Sequence, residues 1–217
     1  MTGANTGKSS ADVAGVLLAG GLATRMGGGD KGMRKLGGRP ILDRILERVR
    51  PQVSALLINA NGDPARFRRH GLPVMADVIA GFQGPLAGVL TGLEWAAEHA
   101  PRGTRFVASF ATDAPFVPTD LVARLRAEVE KAGAEMACAA SAGRTHPVFG
   151  LWPIGLAGAL RRAMEDDEMR KIDRWTARYD LVEVDFPTDP IDPFFNINEP
   201  GNLDEAERLL AADAGAA

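Results

Sequence analysis

Short apolar segments alternate with amphipathic segments along most of the chain. Val13–Leu18 is almost entirely apolar, as expected of a strand that is buried on both faces of a sheet. After Pro40, apolar side chains recur every three or four residues, which is the spacing of a helix with one buried face. This first part of the chain therefore predicts a strand followed by a helix.

The same alternation continues toward the carboxyl terminus. It predicts further strands at 54–61, 72–77, 105–111, 134–141, 147–152 and 181–186. It predicts further helices at 64–70, 86–99, from Pro118 onward, at 154–164 and 168–178, and after Pro200. Strands that alternate with helices form a mostly parallel sheet with helices on both faces. We therefore predict an α/β fold, a three-layer α/β/α sandwich.

The first twelve residues lack this periodicity. They are predicted to form a flexible tail, and residues 13–217 are predicted to form a single domain. The tail contains "GANTGKS" (Gly3–Ser9), which is similar to a Walker A phosphate loop. Its glycines are one residue too close together and no predicted strand precedes it, so we do not predict that this segment binds phosphate.

Composition and charge exclude several classes of protein. The chain has 217 residues, of which 46% are apolar and 24% charged, as in an ordinary globular protein. The net charge of −3 argues against a nucleic-acid-binding protein, which would carry a basic surface. No apolar run reaches the roughly 20 residues of a membrane-spanning helix, so we expect a cytoplasmic protein.

Cys138 lies in an apolar run and is predicted to be buried, without a chemical role.

A glycine-rich loop follows the first predicted strand. The stretch "VLLAGGLATRMGGGDKG" (16–32) places Arg25 and Lys31 among glycines. In an open parallel sheet, ligands bind beyond the carboxyl ends of the strands. Glycines let backbone N–H groups approach an anion, and the two cations can balance phosphate charge. A polyphosphate is the expected ligand. A dehydrogenase-type dinucleotide loop, which this spacing fits badly, and a glycine turn without a ligand remain alternatives.

The loop and several later motifs resemble one enzyme family. "LAGG…TRMGG…DKG" is similar to the signature of nucleotidyltransferases with a GT-A-like, Rossmann-related fold, and its ending resembles the molybdenum cofactor guanylyltransferases in particular. Further motifs occur in the order and spacing of that family: "NAN" (59–61), Asp77, "GPLAG" (84–88), "TDAP" (112–115), "HP" (146–147) and "NIN" (196–198). The resemblance covers about residues 13–211.

The resemblance implies an activity, a metal and a set of site residues. The activity is transfer of GMP from GTP to the terminal phosphate of molybdenum-bound molybdopterin, with Mg²⁺ as cofactor. Arg25, Lys31 and Asp113 would be catalytic, with Asp113 on the metal and the two cations on the triphosphate. The positions implied to bind the nucleotide are Leu18, Ala19, Gly20, Gly21, Lys31, Asn59, Asp77 and Asp113.

His146, Asn196 and Asn198 are predicted to bind the acceptor. A phosphate monoester has its second pKa near about 6 and needs no base at neutral pH, so His146 is assigned to positioning. The two asparagines stand where some sugar-phosphate relatives place an aspartate on the metal. Asn198 would equally serve as a helix cap. The charged run at 170–178 is interpreted as a solvated helix face, in preference to a contact with pterin phosphate.

Other functions stay open at this point. Cytidylyl transfer to molybdopterin, or nucleotidyl transfer to a sugar phosphate, would use a similar site. A nucleotide-binding partner protein without catalysis belongs to a different class. The resemblance makes a molybdenum-insertion protein or a molybdoenzyme chaperone candidate partners. We expect a monomer that binds neither nucleic acid nor membrane.

Overall fold

The computed structural model describes residues 11–19, 33–81 and 84–215. In this part of the chain the strands are β1 (Val13–Leu18), β2 (Lys35–Leu36), β3 (Arg39–Pro40), β4 (Leu56–Asn59), β5 (Val74–Met75), β6 (Phe106–Ala111), β7 (Met136–Ser141), β8 (Arg144–Pro153) and β9 (Leu181–Asp185). Seven of them form one sheet in the order β5–β4–β1–β6–β8–β7–β9, and β2 pairs with β3 in a separate hairpin. Within the large sheet β8 is antiparallel to β6 and β7, and the other neighbours pair in parallel. The prediction of a mostly parallel sheet is confirmed.

Helices cover both faces of this sheet. They are α1 (Ile41–Val49), α2 (Pro85–His99), α3 (Leu121–Ala132), α4 (Ala157–Glu165), α5 (Ile172–Thr176) and α6 (Pro200–Gly215). Short 3₁₀ helices lie at Arg50–Gln52, Pro64–His70 and Ile154–Leu156. Residues of α1, α3 and α6 share one hydrophobic cluster with the sheet, and residues of α2, α4 and α5 share a second cluster. The three-layer α/β/α architecture is therefore confirmed.

The first strand shows why the sequences of the buried strands are almost continuously apolar. Val13 and Leu17 belong to the cluster on one face, whereas Ala14 and Val16 belong to the cluster on the other face. All four side chains are fully buried. Because successive side chains of a strand point to opposite faces, a strand covered on both sides needs apolar residues at every position.

Among the elements whose boundaries differ from the prediction, three have a clear structural reason. The strand expected at 72–77 is only Val74–Met75, because it lies at the edge of the sheet and pairs with β4 alone. β8 begins at Arg144, ahead of the predicted start at 147, because it forms a hairpin with β7. The helix expected at 168–178 spans only Ile172–Thr176. Glu168 has a φ of 50°, a left-handed conformation that a right-handed helix cannot include.

The predicted burial of Cys138 is confirmed. The residue is 2% exposed, and burial, reinforced by the charge of Glu183, raises the pKa of its thiol to about 12. A thiol in that state is a poor nucleophile at neutral pH. Across the described ranges, no helix combines the length and the apolar character required to cross a membrane.

Candidate active site

The predicted nucleotide-binding residues that lie in the described part of the chain are found at one edge of the sheet. β1, β4, β5 and β6 run in parallel, so their carboxyl ends lie at the same edge. There the N–H of Ala19 donates to the carbonyl of Asn59 at 2.8 Å, and the Thr112 hydroxyl donates to the carbonyl of Leu18 at 3.2 Å. Leu18, Ala19 and Asn59 are therefore brought together, next to the start of the loop that carries Asp113.

Two asparagine side chains bracket the carboxylate of Asp77. Nδ2 of Asn59 donates to Oδ1 at 2.9 Å, and Nδ2 of Asn61 donates to Oδ2 at 2.8 Å. Oδ1 of Asn61 also accepts the backbone N–H of Asp77 at 2.9 Å. The backbone and both carboxylate oxygens of Asp77 are thus held by neighbours at the end of β4. We call these three residues the Asp77 bracket.

Asn59 is buried behind this bracket. It is 3% exposed, and its Nδ2 also donates to the carbonyl of Met75 at 3.3 Å. A β-carbon at Gly88 of α2 would overlap Oδ1 of Asn59 and would lie 2.6 Å from Cδ2 of Leu18. Glycine at position 88 therefore lets α2 pack directly against the buried side of the bracket.

Asp77 keeps the capacity to accept further hydrogen bonds. Its residue is half-buried, and each oxygen of an ionised carboxylate has a second lone pair beyond the one that an asparagine occupies. The following residue is anchored as well, because the N–H of Val78 donates to the hydroxyl of Thr91 at 3.1 Å. That hydroxyl is fully buried in α2 and donates to the carbonyl of Ala87 at 2.8 Å. The result is a fixed acceptor suited to N–H or O–H groups of a ligand.

Asp113 lies on the loop that follows β6 at the same edge. Its carbonyl accepts the N–H of Ile197 at 2.8 Å, which brings the segment with the exposed residues Asn196 and Asn198 alongside Asp113. The side chain of Asn202 accepts the N–H groups of Asn198 and Glu199 at 3.2 and 3.0 Å. Asn202 therefore caps the turn that leads into α6, in the manner of a capping box.

The donor set at this edge suits a divalent metal that binds together with a nucleotide. In residues 11–19, 33–81 and 84–215, no group of three or more His, Cys, Asp or Glu side chains is arranged to hold a metal. Asp113 is the residue at this edge that is predicted to offer a carboxylate to the metal. Mg²⁺ is commonly held by one or two carboxylates together with substrate phosphates and water, so a complete protein cage is not required.

His146 lies at the same edge, on the other side of β6. Because β8 is antiparallel, its first residues lie beside the carboxyl end of β7, where Oγ of Ser141 is 2.8 Å from Nε2 of His146. The ring also packs on Phe194, with 4.7 Å between centroids. Burial lowers the pKa of His146, an effect that Arg144 reinforces and the charge of Asp192 opposes. The imidazole is therefore biased toward its neutral form.

Some predicted contacts lie outside the described residues, and others are explained by protein contacts. Gly20, Gly21, Arg25 and Lys31 fall in the range 20–32, outside the described residues. In the charged run at 170–178, Arg170 donates to two backbone carbonyls and Arg178 contacts the carboxylate of Asp167. These contacts agree with the interpretation of the run as a solvated face.

The sequence alone gives no role to four residues that the structure places at the site: Asn61, Thr91, Ser141 and Asp192. Asn61 follows Asn59 by two positions at the end of a strand, and this period-two spacing was a usable signal. Ser141 and Asp192 are 51 positions apart in the chain. No local pattern connects them.

Comparison with known proteins finds relatives that match most of the chain. A family model described as a MobA-like NTP transferase domain matches residues 15–182. A protein of Nitrobacter hamburgensis named molybdenum cofactor guanylyltransferase is 54% identical over 93% of this chain and 96% of its own length. One of Bradyrhizobium sp. with the same name is 51% identical, over 96% and 98%. The crystal structure of molybdopterin-guanine dinucleotide biosynthesis protein A from Archaeoglobus fulgidus has a TM-score of 0.71 and 25% identity, covering 92% of this chain and 99% of that one.

Proposed function

The chain belongs to the MobA-like NTP transferase family, and from that membership we propose that it transfers GMP from GTP to the terminal phosphate of molybdenum-bound molybdopterin. The reaction releases pyrophosphate and forms the guanine dinucleotide form of the molybdenum cofactor. The names of both bacterial relatives support this donor and this acceptor. The chain is accordingly a nucleotidyltransferase.

The Asp77 bracket is the observation that carries the proposal. Guanine has N–H donors at N1 and N2, for which a fixed carboxylate is a suitable acceptor. Asn59 and Asn61 each donate to one oxygen of Asp77, and these two hydrogen bonds set the orientation of the carboxylate. In the proposed complex Asp77 accepts from the nucleoside. Asn59, being buried, acts on the nucleotide through Asp77.

The triphosphate is assigned to the segment after β1. Gly20 and Gly21 offer backbone N–H groups, and Arg25 and Lys31 offset the charge of the triphosphate and of the departing pyrophosphate. These four roles rest on the family resemblance of the loop. They are supported by its position, since Ala19 leads out of β1 at the edge that also carries the Asp77 bracket.

Asp113 is the residue proposed to hold a divalent metal, and the ion that we propose is Mg²⁺, a hard cation that binds carboxylate, phosphate and water oxygens. When bound, such an ion stabilises the negative charge that develops on the phosphates. The chain itself contributes orientation, because the bond from Ile197 to the carbonyl of Asp113 ties the metal-binding loop to the proposed acceptor segment.

The transfer is a substitution at the α-phosphorus of GTP. An oxygen of the acceptor's terminal phosphate bonds to that phosphorus, and the bond from the phosphorus to the oxygen that bridges to the β-phosphate breaks. The acceptor phosphate, with its second pKa near about 6, is already mostly deprotonated at neutral pH, so no side chain has to remove a proton. His146, Asn196 and Asn198 are proposed to position the acceptor. We place the enzyme in the cytoplasm, because the reaction consumes GTP, a metabolite of that compartment.

Nucleotide competition tests the proposal. Calorimetric titration in Mg²⁺ should show GTP binding at least about tenfold more tightly than CTP or UTP, as expected of a site that hydrogen-bonds the base. Addition of molybdenum-bound molybdopterin should then release pyrophosphate. A preference for CTP would overturn the guanylyl assignment. Tight GTP binding without pyrophosphate release would indicate a nucleotide-binding protein that is not this enzyme.

A further inference from the structure

A buried serine links the proposed acceptor residue His146 to an aspartate. Ser141 is 1% exposed. Its Oγ lies 2.8 Å from Nε2 of His146 and 3.0 Å from Oδ1 of Asp192. The three residues come from β7, β8 and the segment after β9, and they meet at the carboxyl edge of the sheet. We call them the Ser141 relay.

The hydrogens available on the three side chains determine the direction of each hydrogen bond in the relay. An ionised carboxylate has no hydrogen to donate, and Oδ1 of Asp192 already accepts the N–H of Phe194 at 2.9 Å. The one hydroxyl hydrogen of Ser141 therefore points to Asp192. The remaining contact needs its hydrogen from Nε2 of His146. Nδ1 then carries the lone pair of a neutral imidazole, and within residues 11–19, 33–81 and 84–215 the ring of His146 forms its hydrogen bond through Nε2.

The ring is also fixed against the proposed acceptor segment. His146 packs on Phe194, which is itself packed between Phe149 at 4.9 Å and Phe186 at 5.4 Å. Three residues after Phe194, the N–H of Ile197 bonds the carbonyl of Asp113. The imidazole is thus held in place and orientation, close to the segment that runs beside Asp113.

We propose that Asp192 and Ser141 are positioning residues that hold His146 with its proton on Nε2, so that Nδ1 accepts a hydrogen bond from an N–H or O–H group of the acceptor substrate. This inference rests on the proposed function, because it assigns a contact to the acceptor of that reaction. It also narrows the role of His146. A bare ring nitrogen repels a phosphate oxygen, so His146 recognises the heterocyclic or alcohol part of the acceptor and leaves its phosphate to other groups.

The proton position can be measured without any substrate. The chain has three histidines, so nitrogen-15 NMR of the full protein, with His70→Gln and His99→Gln variants for assignment, resolves the His146 ring. Near pH 8 we expect a protonated Nε2 signal and an unprotonated Nδ1 signal. A proton on Nδ1 would make this nitrogen a donor and would overturn the proposal.

Kinetics of the full enzyme test the contact with the acceptor. Ser141→Ala and Asp192→Ala should raise KM for molybdenum-bound molybdopterin by about tenfold, with KM for GTP unchanged. Asp192→Asn keeps the acceptor oxygen and should stay within about threefold of wild type. Ser54→Ala is the control, since it removes a hydroxyl that donates to the Val13 carbonyl at the opposite edge of the sheet. Equal changes in both KM values, or none, would contradict the relay.

Substitution of the histidine separates acceptor recognition from phosphate binding. His146→Gln retains a carbonyl oxygen and should recover part of the acceptor affinity that His146→Ala loses. His146→Arg offers only donors and should not. Recovery by arginine alone would show that position 146 binds phosphate. If wild-type protein transfers no GMP at all, the proposed function and the substrate contact fail together, and NMR still decides whether the relay sets the proton.

Discussion

At the scale of single residues, the site depends on amides that neighbour carboxylates. Asn61 donates one hydrogen bond to Asp77 and accepts another from its backbone. An amide does both with two different atoms, whereas an ionised carboxylate only accepts and an ammonium only donates. The amide of residue 61 therefore fixes the orientation of the Asp77 carboxylate through two hydrogen bonds.

Asn61→Asp tests this point with almost no change of shape. The variant keeps the oxygen that accepts the Asp77 N–H but replaces the donor by a second negative charge, now facing the Asp77 carboxylate. We expect GTP affinity to fall by about tenfold or more, measured by calorimetry in Mg²⁺. Asn202→Asp is a matched control, because the Asn202 side chain accepts two backbone N–H groups through Oδ1 and aspartate keeps that oxygen. This variant should leave GTP affinity within about twofold. Unchanged affinity in Asn61→Asp would remove Asp77 from nucleotide recognition.

Asp113→Ala tests the proposed metal residue. The side chain is half-buried at a loop, and the backbone carbonyl that bonds Ile197 is retained in the variant. We therefore expect an unfolding transition close to that of wild type and a loss of GMP transfer of at least about a hundredfold, as for the removal of a charge that stabilises the transition state. Pyrophosphate release and thermal unfolding measure the two effects. Near-normal turnover would take Asp113 out of the mechanism.

At the scale of elements, helix α2 packs against the buried side of the site. It packs on β1 and β4 through glycines, since a β-carbon at Gly92 would lie 2.8 Å from Cβ of Val16, and one at Gly88 would overlap the Asn59 amide. Thr91, between them, anchors the residue after Asp77. The close approach of α2 therefore positions the Asp77 bracket as well as burying the core.

Gly88→Ala should show this coupling. The added methyl must displace α2 or the Asn59 amide, so we expect a loss of about 1–3 kcal/mol in the free energy of unfolding, together with weaker GTP binding. Gly158→Ala in α4 is the matched control, because its nearest neighbour would be a flexible arginine atom at 3.7 Å. That variant should be unchanged or stabilised by up to about 1 kcal/mol. Denaturant titration measures the stabilities, and equal values for the two variants would contradict the packing argument.

At the scale of the whole molecule, two partly buried histidines make stability depend on pH. Burial is the largest cause that lowers the pKa of His70 and also that of His146. Nε2 of His70 is buried and has no hydrogen-bond partner among the described residues. His70 also faces Arg69 and Arg50, which lower its pKa further, and Asp43, which opposes the shift. Both groups are more easily protonated in the unfolded chain than in the folded one.

The sign of the pH dependence follows from these shifts. A histidine whose pKa is lower in the folded state stabilises the fold at pH values above 6.5, the ordinary pKa of histidine. This stabilisation is lost as the pH falls below 6.5, because the unfolded chain then binds the proton more readily. We therefore expect the midpoint of urea unfolding to drop between pH 7.5 and pH 5.5. His70→Gln should reduce the drop, because glutamine does not titrate. An equal drop in that variant would assign the effect to other groups.

Features that depend on residues close together in sequence could be predicted. Contacts between residues that only the sheet brings together could not. Apolar periodicity predicted β1, α2 and the three layers, because burial on one or two faces leaves a repeating pattern in the chain. The ordered motifs also pointed to Asp77 and Asp113. Missed boundaries, such as the short α5, depended on a single backbone conformation at Glu168, which no apolar pattern encodes.

The chain by itself thus determined the fold class, the family and the types of chemical group available, because these depend on local pattern and on motif order. Only the tertiary structure decided which groups face one another. It showed that Asn61 shares the carboxylate of Asp77, and that Ser141 joins two residues from distant segments. Hydrogen bonds depend on distances of a few tenths of an ångström, and those distances exist only after the strands have been set side by side.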